Sequence, residues 1–288
     1  KKQISYSYQG SEETNGERIV DAEFFYPLKN TKEWDEMFTS ARSDWNFRIW
    51  GAEVWDFDQT YQAANSIGIS YDRFPNSVKN FDYTGHLDGT LFEEVKGSDG
   101  SSTWKPVERN GQIQTHVLKN LCDYSINYSG STLSSYGVYG FVFQSVTGGI
   151  TNLTVEDMTV GVQHKVHADK KAMGTTQLSG KNVSYQGDPL PQTISGYWER
   201  GLVRIFTPNS YMENVHLVGG IIDSARTSGV AIGGLAARVQ SYGTITQCSV
   251  TDLSIQTPDQ AASLSAGGLV GTADSNITFT DCYAADLT

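Results

Sequence analysis

The chain has 288 residues and a formal net charge of −11. This acidic balance disfavours binding to nucleic acid or to anionic membranes, because both interactions require clustered Lys and Arg. No apolar run reaches about 18 residues, so we expect no membrane-spanning helix, whereas the length is sufficient for a large buried core.

Residues 1–80 are predicted to form an N-terminal cap and lead-in. The sequence from Asn30 to Glu33 matches a capping box, in which Asn30 is the N-cap and Glu33 reaches back to it. The apolar residues that follow at the spacing of one helix face are Trp34, Met37, Phe38 and Ala41. We predict a short amphipathic helix here that covers the open end of a stack of strands.

Most of the tryptophans lie in this N-terminal part. Five of the six precede residue 105, namely Trp34, Trp45, Trp50, Trp55 and Trp104. Such a concentration of aromatic residues has two interpretations, the core of the cap or a platform on which glycans stack. Helical spacing already accounts for several of them. We therefore favour the cap core, and we keep Trp104 as a candidate binding residue.

Two pairs of carboxylates in this region are candidates for chemistry. Asp56 and Asp58 would lie on the same face of a strand, as an acid–base pair for glycoside hydrolysis or a calcium-binding pair would. Asp82 and Asp88 flank a glycine-rich turn, where Asp commonly forms the turn itself. We predict structural roles for all four, and therefore no catalytic residue.

Residues 81–288 are predicted to form a repeat array. Gly234 and Gly268 begin two copies of one phrase, and their separation (268 − 234 = 34) is typical of stacked repeat architectures. Apolar and polar residues alternate within the copies, which is the period of a strand. We predict an all-β fold, a right-handed parallel β-helix-like solenoid with an N-terminal cap that contains a short helix.

Five positions are predicted to be equivalent in the interior of this stack: Leu121, Leu153, Val215, Cys248 and Cys282. All are apolar or thiol side chains, which suits inward-facing sites. Cys248 and Cys282 would lie one above the other at a strand spacing that a disulfide can bridge. Side chains stacked in parallel register point the same way, however, so we predict two buried thiols.

An insertion at about 161–200 interrupts the repeats and is the strongest candidate for a specific interaction. Long insertions on repeat proteins project from one face and often form the binding surface. The candidate binding residues in it are Lys170, Lys171, Tyr185, Tyr197 and Trp198. The loop from Asp88 to about Asn110, with Trp104, is the second candidate. His164 and His167 lack the Glu of a zinc-binding helix motif, and we predict no metal or cofactor.

Two phrases resemble GLUG-type repeats: Gly-Gly-Leu-Val-Gly at 267–271 and Ile-Thr-Gln-Cys-Ser-Val at 245–250. The segment before them resembles the lead-in of the same group, which implies a helix over Trp34–Arg42 and a strand over 46–49. GLUG repeats occur in bacterial cell-surface proteins, including adhesin-like proteins and the non-catalytic regions of IgA1-specific metallopeptidases. The resemblance implies an extracellular module, secreted or attached to the cell surface.

Two functions from different classes remain open. The first is a non-catalytic module of a larger bacterial protein, which serves adhesion, recognition of a host glycoprotein or glycan, or spacing between other domains of that protein. The second is a β-helix polysaccharide lyase or glycoside hydrolase with paired carboxylates, an analogy of fold alone. Such an enzyme should place carboxylates and basic residues along several coils, whereas the C-terminal copies carry Ser, Thr, Ala and Gly. We therefore predict the module.

Overall fold

A computed structural model describes fourteen stretches of the chain. These are residues 25–30, 33–34, 37–38, 42–57, 82–121, 123–129, 132–138, 140–161, 175–178, 181–184, 192–194, 199–224, 228–257 and 263–288. Within them, no helix has both the length and the apolar composition needed to cross a bilayer.

The described residues form mostly strands, which are numbered here in chain order. Helical conformation is limited to Glu33, Trp34, Met37, Arg42 and Phe57. The strands are β1 (Tyr26–Leu28), β2 (Phe47–Ile49), β3 (Val54–Asp56), β4 (Asp82–Tyr83), β5 (His86–Asp88), β6 (Phe92–Lys96), β7 (Ser102–Pro106), β8 (Glu108–Arg109), β9 (Gln112–Ile113), β10 (His116–Lys119), β11 (Tyr124–Ser129), β12 (Thr132–Val138), β13 (Phe141–Val146), β14 (Gly149–Glu156), β15 (Thr159–Val160), β16 (Thr175–Leu178), β17 (Lys181–Ser184), β18 (Gln192–Ile194), β19 (Glu199–Phe206), β20 (Tyr211–Val218), β21 (Ile221–Asp223), β22 (Ser228–Gly233), β23 (Ala236–Val239), β24 (Thr244–Thr246), β25 (Ser249–Thr251), β26 (Ser254–Gln256), β27 (Ser263–Gly267), β28 (Val270–Ala273), β29 (Thr278–Thr280) and β30 (Tyr283–Ala285).

Three sheets are built from parallel pairs. The main sheet has the order β1-β2-β5-β14-β20-β24-β29, with β3, β10, β25 and β30 beside this path. The second sheet has the order β27-β22-β19-β13-β4, with β23 and β28 beside it, and the third is β15-β21-β26. The chain passes from the second sheet to the main sheet and then to the third in β13-β14-β15, and again in β19-β20-β21. The predicted all-β class is confirmed, and these three sheets are parallel.

Smaller sheets are attached to this body. Strands β11, β12, β16, β17 and β18 form a five-stranded sheet, so strands from the predicted insertion pair with strands that precede it. Strands β6 and β7 form an antiparallel hairpin, and β8 and β9 form another. The two hairpins separate β5 from β10 in the sequence, although both strands pair with β14 in the main sheet.

The predicted period is present in the strand register. Met212 is opposite Ile245, and Ile245 is opposite Phe279, so the offsets are 33 (245 − 212) and 34 (279 − 245). The backbone N–H of Gly234 donates to the carbonyl of Gly268 at 2.9 Å. A Cβ on Gly234 would lie 2.5 Å from that carbonyl oxygen, and a Cβ on Gly268 would lie 2.6 Å from Ala284 Cβ. Both glycines therefore serve close packing between neighbouring strands.

The interior of the three sheets is one apolar cluster that includes Leu153, Val215 and Cys248, all with no solvent exposure. Leu153 is opposite Val215, as predicted. The assignment of Leu121 to this row is wrong. Leu118 is opposite Val155, so Leu121 is in register with Met158, five residues after Leu153. The residue opposite Leu153 is His116, which is buried. The hairpins inserted after β5 return the chain to the sheet at this histidine.

The two thiols of the stack are free. Cys248 is buried, and its Sγ donates to the carbonyl of Thr246 at 3.1 Å. Burial raises the pKa of Cys248 to about 12. Cys282 is partly exposed, which differs from the predicted burial, because no described strand follows β29 and β30 at this end of the main sheet.

Bends within strands and turns between strands use residues that tolerate a positive φ. One row of such residues is Asn152, Asn214, Gln247 and Asp281, with φ from 52° to 53°, and another is Asn209, Tyr242 and Asn276, with φ from 60° to 65°. Asn and Asp adopt this left-handed conformation more easily than other non-glycine residues. Asn214 donates from Nδ2 to Oδ1 of Asn152 at 2.9 Å, so a side-chain hydrogen bond also links the first two residues of the first row.

The predicted N-cap of the first helical turn is present. The Glu33 backbone N–H donates to Asn30 Oδ1 at 3.0 Å, and the Trp34 N–H donates to the Asn30 carbonyl at 3.1 Å. Glu33 Oε2 accepts from the backbone N–H of Lys29, one residue before the expected partner. Trp34, Met37 and Phe38 are completely buried in the core cluster. This segment therefore packs into the apolar cluster, with Trp34 against Phe57 and Phe143, and its role as an end cap stays a prediction.

Candidate functional site

The predicted binding residues fall into two groups. Lys170, Lys171, Tyr185, Tyr197 and Trp198 lie outside the described residues, as do Asp58, His164, His167 and Cys122. Trp104 is described, and 40% of its surface is exposed on strand β7. Trp104 is therefore the predicted binding residue whose surroundings the structure describes.

Two buried charges mark the base of the predicted insertion. Asp123 Oδ2 accepts hydrogen bonds from the backbone N–H groups of Gly140 and Gly161. Arg200 is also buried. Its side chain packs against Gly140, in the space that a Cβ at that position would occupy. Burial raises the pKa of Asp223, and the charge of Arg200 opposes that rise. These contacts anchor the chain on both sides of the insertion.

The outer surface at Trp104 begins on the hairpin of β6 and β7. Glu94 is opposite Trp104, and Phe92 is two residues before Glu94, so the three side chains share one face of the hairpin. Trp50 lies against this face, with ring centroids 4.7 Å from Trp104 and 5.7 Å from Phe92. Three aromatic rings therefore form one patch of surface.

Strand β2 places a cation beside this patch. Phe47 and Ile49 point into the core, and strand alternation directs Arg48 to the outer face. Its Cζ lies 4.3 Å from the ring centroid of Phe25 and 4.8 Å from that of Phe92. Cation–π contacts of this kind favour a fixed guanidinium.

Arg48 is also held by an ion pair. Its Nε donates to Asp88 Oδ2 at 2.6 Å, with side-chain exposures of 22% for Arg48 and 6% for Asp88. The other oxygen, Oδ1, accepts from the backbone N–H of Thr90 at 2.9 Å and from its hydroxyl at 2.5 Å. Asp88 thus forms the predicted turn and in addition orients Arg48. Within the described part of the chain, neither Nη nitrogen of Arg48 has a hydrogen-bond acceptor.

The rings continue across the outer face of the main sheet. His86 lies between Phe25 and Tyr211, with centroid distances of 5.2 Å and 5.6 Å. Its Nε2 is 2.8 Å from Thr151 Oγ1. The Tyr211 ring lies over Gly149, where a Cβ would be 2.1 Å from Cζ of the ring. We name Phe25, Arg48, Trp50, His86, Phe92, Trp104 and Tyr211 the aromatic strip.

A series of hydrogen bonds leads from the Asp88 carboxylate, which holds Arg48, across the main sheet. Asn152 Nδ2 donates to Thr90 Oγ1 at 2.8 Å, and Asn214 Nδ2 donates to Asn152 Oδ1. His216 Nε2 is 2.9 Å from Asn214 Oδ1, and its Nδ1 is 2.8 Å from the hydroxyl of Ser249. When Nε2 of His216 carries the proton, every hydrogen bond in this series is donated in the direction of Asp88. Burial lowers the pKa of His216, which favours this neutral ring.

The carboxylates that were candidates for catalysis have structural partners. Asn120 Nδ2 donates to Asp56 Oδ1 at 2.9 Å, and Ser145 Oγ donates to Asp82 Oδ1. In the stretches that the structure describes, no three His, Cys, Asp or Glu side chains come together as a metal site.

Of the residues in the strip, only Trp104 was among the binding residues predicted from the sequence, and its role in binding stays a prediction. Arg48 and Tyr211 are separated by much of the chain, and only the strand pairing brings them to one face. A weak signal exists in the local patterns Phe-Arg-Ile at 47–49 and Tyr-Met-Glu at 211–213. In each, a large polar or aromatic residue occupies an outward position of an alternating strand.

Comparison of the chain with protein-family models, with curated proteins and with solved structures finds no match.

Proposed function

We propose that this chain is a non-catalytic, extracellular recognition module that binds glycan chains along the aromatic strip. Its scaffold is a right-handed parallel β-helix-like solenoid with an N-terminal cap. Three parallel sheets visited in a recurring order and a register of 33 to 34 residues support that architecture. The repeat phrases that resemble GLUG repeats support a bacterial surface or secreted protein as its context.

The observation that carries the proposal is the row of rings on one outer face. Trp104 and Tyr211 are exposed and Trp50 is half-buried beside Trp104, while Arg48 adds a hydrogen-bond donor within the same row. The C–H faces of sugars pack on aromatic rings, while sugar hydroxyls require polar partners at the ring edges. Tyr, Trp and Arg also supply most of the binding energy at protein recognition sites.

The same surface favours binding over hydrolysis or elimination. A glycosidase needs two carboxylates on opposite sides of the scissile bond, about 5 to 10 Å apart. Asp88, the buried carboxylate next to the strip, already bonds Arg48 and Thr90. Asp56 and Asp82 are committed to Asn120 and Ser145.

The test is a screen of the purified chain against immobilised polysaccharides and host glycoproteins, scored for both binding and bond cleavage. We expect binding without turnover, and at least a tenfold weaker affinity for Trp104→Ala, which is about 1.4 kcal/mol. Tyr242→Ala is the matched control, because Tyr242 is an aromatic residue with 61% exposure outside the strip.

Two results would overturn the proposal. Turnover that disappears in Asp88→Asn or Asp56→Asn, with binding retained, would make the chain an enzyme. Equal binding by the wild type and the Trp104→Ala and Trp50→Ala variants would place recognition elsewhere.

A further inference from the structure

We propose that Arg48 determines the specificity of the strip and that the ligand is an uncharged polysaccharide. This inference rests on the proposed function and adds the chemical class of the glycan. Arg48 would donate its Nη groups, which have no acceptor among the described residues, to sugar hydroxyl or ring oxygens, while the flanking rings pack on the sugar faces.

The geometry of Arg48 is that of a donor fixed before ligand binds. Asp88 holds Nε at 2.6 Å, and the rings of Phe25 and Phe92 lie within 5 Å of Cζ. A planar guanidinium that is fixed at one edge presents its remaining N–H groups in a fork of constant direction. Pre-organisation of this kind lowers the entropic cost of binding.

The charge of the strip disfavours an anionic glycan. Arg48 is paired with Asp88, so its positive charge is already compensated. Glu94 is opposite Trp104, Lys96 is two residues further on the same hairpin face, and Glu213 is two residues after Tyr211 on the outer face of β20. The sum is two positive and three negative charges, or −1, on a chain whose net charge is −11. A polyanion would therefore meet net repulsion, and Arg48, the cation held within the row of rings, is already compensated by Asp88.

The length of the strip indicates a polymer and excludes a single sugar as its full ligand. Arg48 is on β2 and Tyr211 is on β20, three strand spacings away through β5 and β14. At about 4.8 Å for each spacing, this part alone extends about 14 Å. The hairpin adds Phe92 and Trp104 on the other side of Arg48. Affinity should therefore increase with the number of sugar units until the strip is filled.

Arg48→Lys is the sharpest variant, because Lys keeps the charge that Asp88 needs and removes the fork and the stacked plane. Arg238→Lys is the matched control, since Arg238 forms an exposed ion pair with Asp274 outside the strip. Circular dichroism and thermal unfolding of both variants verify the fold before binding is measured.

The probes are size-graded neutral oligosaccharides from cello-, xylo-, malto- and chito- series, beside oligogalacturonides and heparin as anionic probes. Calorimetry with the wild type should show binding to a neutral series, tighter for longer chains, with little dependence on salt. We expect Arg48→Lys to bind that series about tenfold more weakly, and Arg238→Lys to bind it as the wild type does.

The two levels of the proposal fail differently. If Trp104→Ala loses binding but Arg48→Lys does not, glycan recognition stands and the role of Arg48 is wrong. Preferred binding of the anionic probes, weakened by salt, would overturn the assignment to uncharged ligands. If neither class of probe binds the wild type, the proposed function itself fails.

Discussion

The N-terminal and C-terminal parts of the main sheet share one apolar cluster but have different outer faces. In the C-terminal part the outward residues of β24 and β29 are Thr244, Thr246, Thr278 and Thr280. In the N-terminal part the outward positions of β2 and β5 hold Arg48, His86 and Asp88, and a hairpin covers them with further rings. One backbone period thus supports a row of threonines at one end and the proposed binding surface at the other.

The interior is the common element, so a change there should have the largest effect. Leu153→Ala removes a fully buried side chain between His116 and Val215. We expect the free energy of unfolding to fall by about 2–5 kcal/mol. Thr246→Ala, on the outer face of β24, should change it by less than about 0.5 kcal/mol. Urea unfolding followed by circular dichroism measures both, and equal losses would contradict the division into interior and outer face.

The thiols test how far the closed interior extends toward the C-terminal edge. In a Cys122→Ser background we expect Cys282 to react with a thiol reagent in the native protein. Cys248 should stay unreactive until unfolding, because burial raises its pKa from 9.0 to about 12 and blocks access. Mass spectrometry of labelled peptides over time gives the two rates. Fast native labelling of Cys248 would show that the stack is open at this position.

The strands and register of the C-terminal part were accessible from the sequence, whereas the aromatic strip of the N-terminal part was not. Alternation and the offset between Gly234 and Gly268 predicted strands and their register in the C-terminal part, where consecutive copies are uninterrupted. Leu121 was assigned to the wrong row because the hairpins between β5 and β10 hide where the chain returns to the sheet. The strip was not predictable, because Phe92 meets Arg48, and Tyr211 meets His86, only when strands distant in the sequence come together.

A titratable residue distinguishes the N-terminal interior from the C-terminal one. His116 occupies the row that Leu153 and Val215 fill in later coils, and its Nδ1 is 2.9 Å from the carbonyl of Ala52. Burial lowers the pKa of His116, although Asp88 and Glu53 oppose that effect. The unfolded chain therefore binds the proton more readily, and stability should be lost as the pH falls below about 6.5.

His116→Leu should reduce this loss of stability at low pH, because Leu, like Leu153 and Val215 in the same row, has no group that binds a proton. Urea unfolding at pH 7.5 and pH 5.5 measures the difference for the wild type and the variant. His216 also has a lowered pKa and remains in both proteins, so a smaller pH dependence is expected and not its disappearance. An unchanged pH dependence in the variant would contradict the role of His116.

The smallest expected effect concerns one corner of the C-terminal part. Tyr242 has φ 65° in a row otherwise occupied by Asn209 and Asn276. Tyr242→Asn should raise the free energy of unfolding by about 0.5–1 kcal/mol, because Asn adopts this conformation at lower cost. Tyr283→Asn is the control, since Tyr283 is similarly exposed but lies in strand β30, where the change should give no gain. Thermal unfolding of both variants compares them, and stabilisation by Tyr283→Asn alone would contradict the argument.

Hydrogen–deuterium exchange with and without a bound neutral oligosaccharide tests the central claim most directly. The account predicts that the ligand slows exchange in residues 45–53, 89–107 and 208–214, which carry most of the strip, and leaves 228–288 unchanged. Protection confined to 228–288 or to the insertion at 161–200 would contradict it and would place recognition on the repeats or on the insertion.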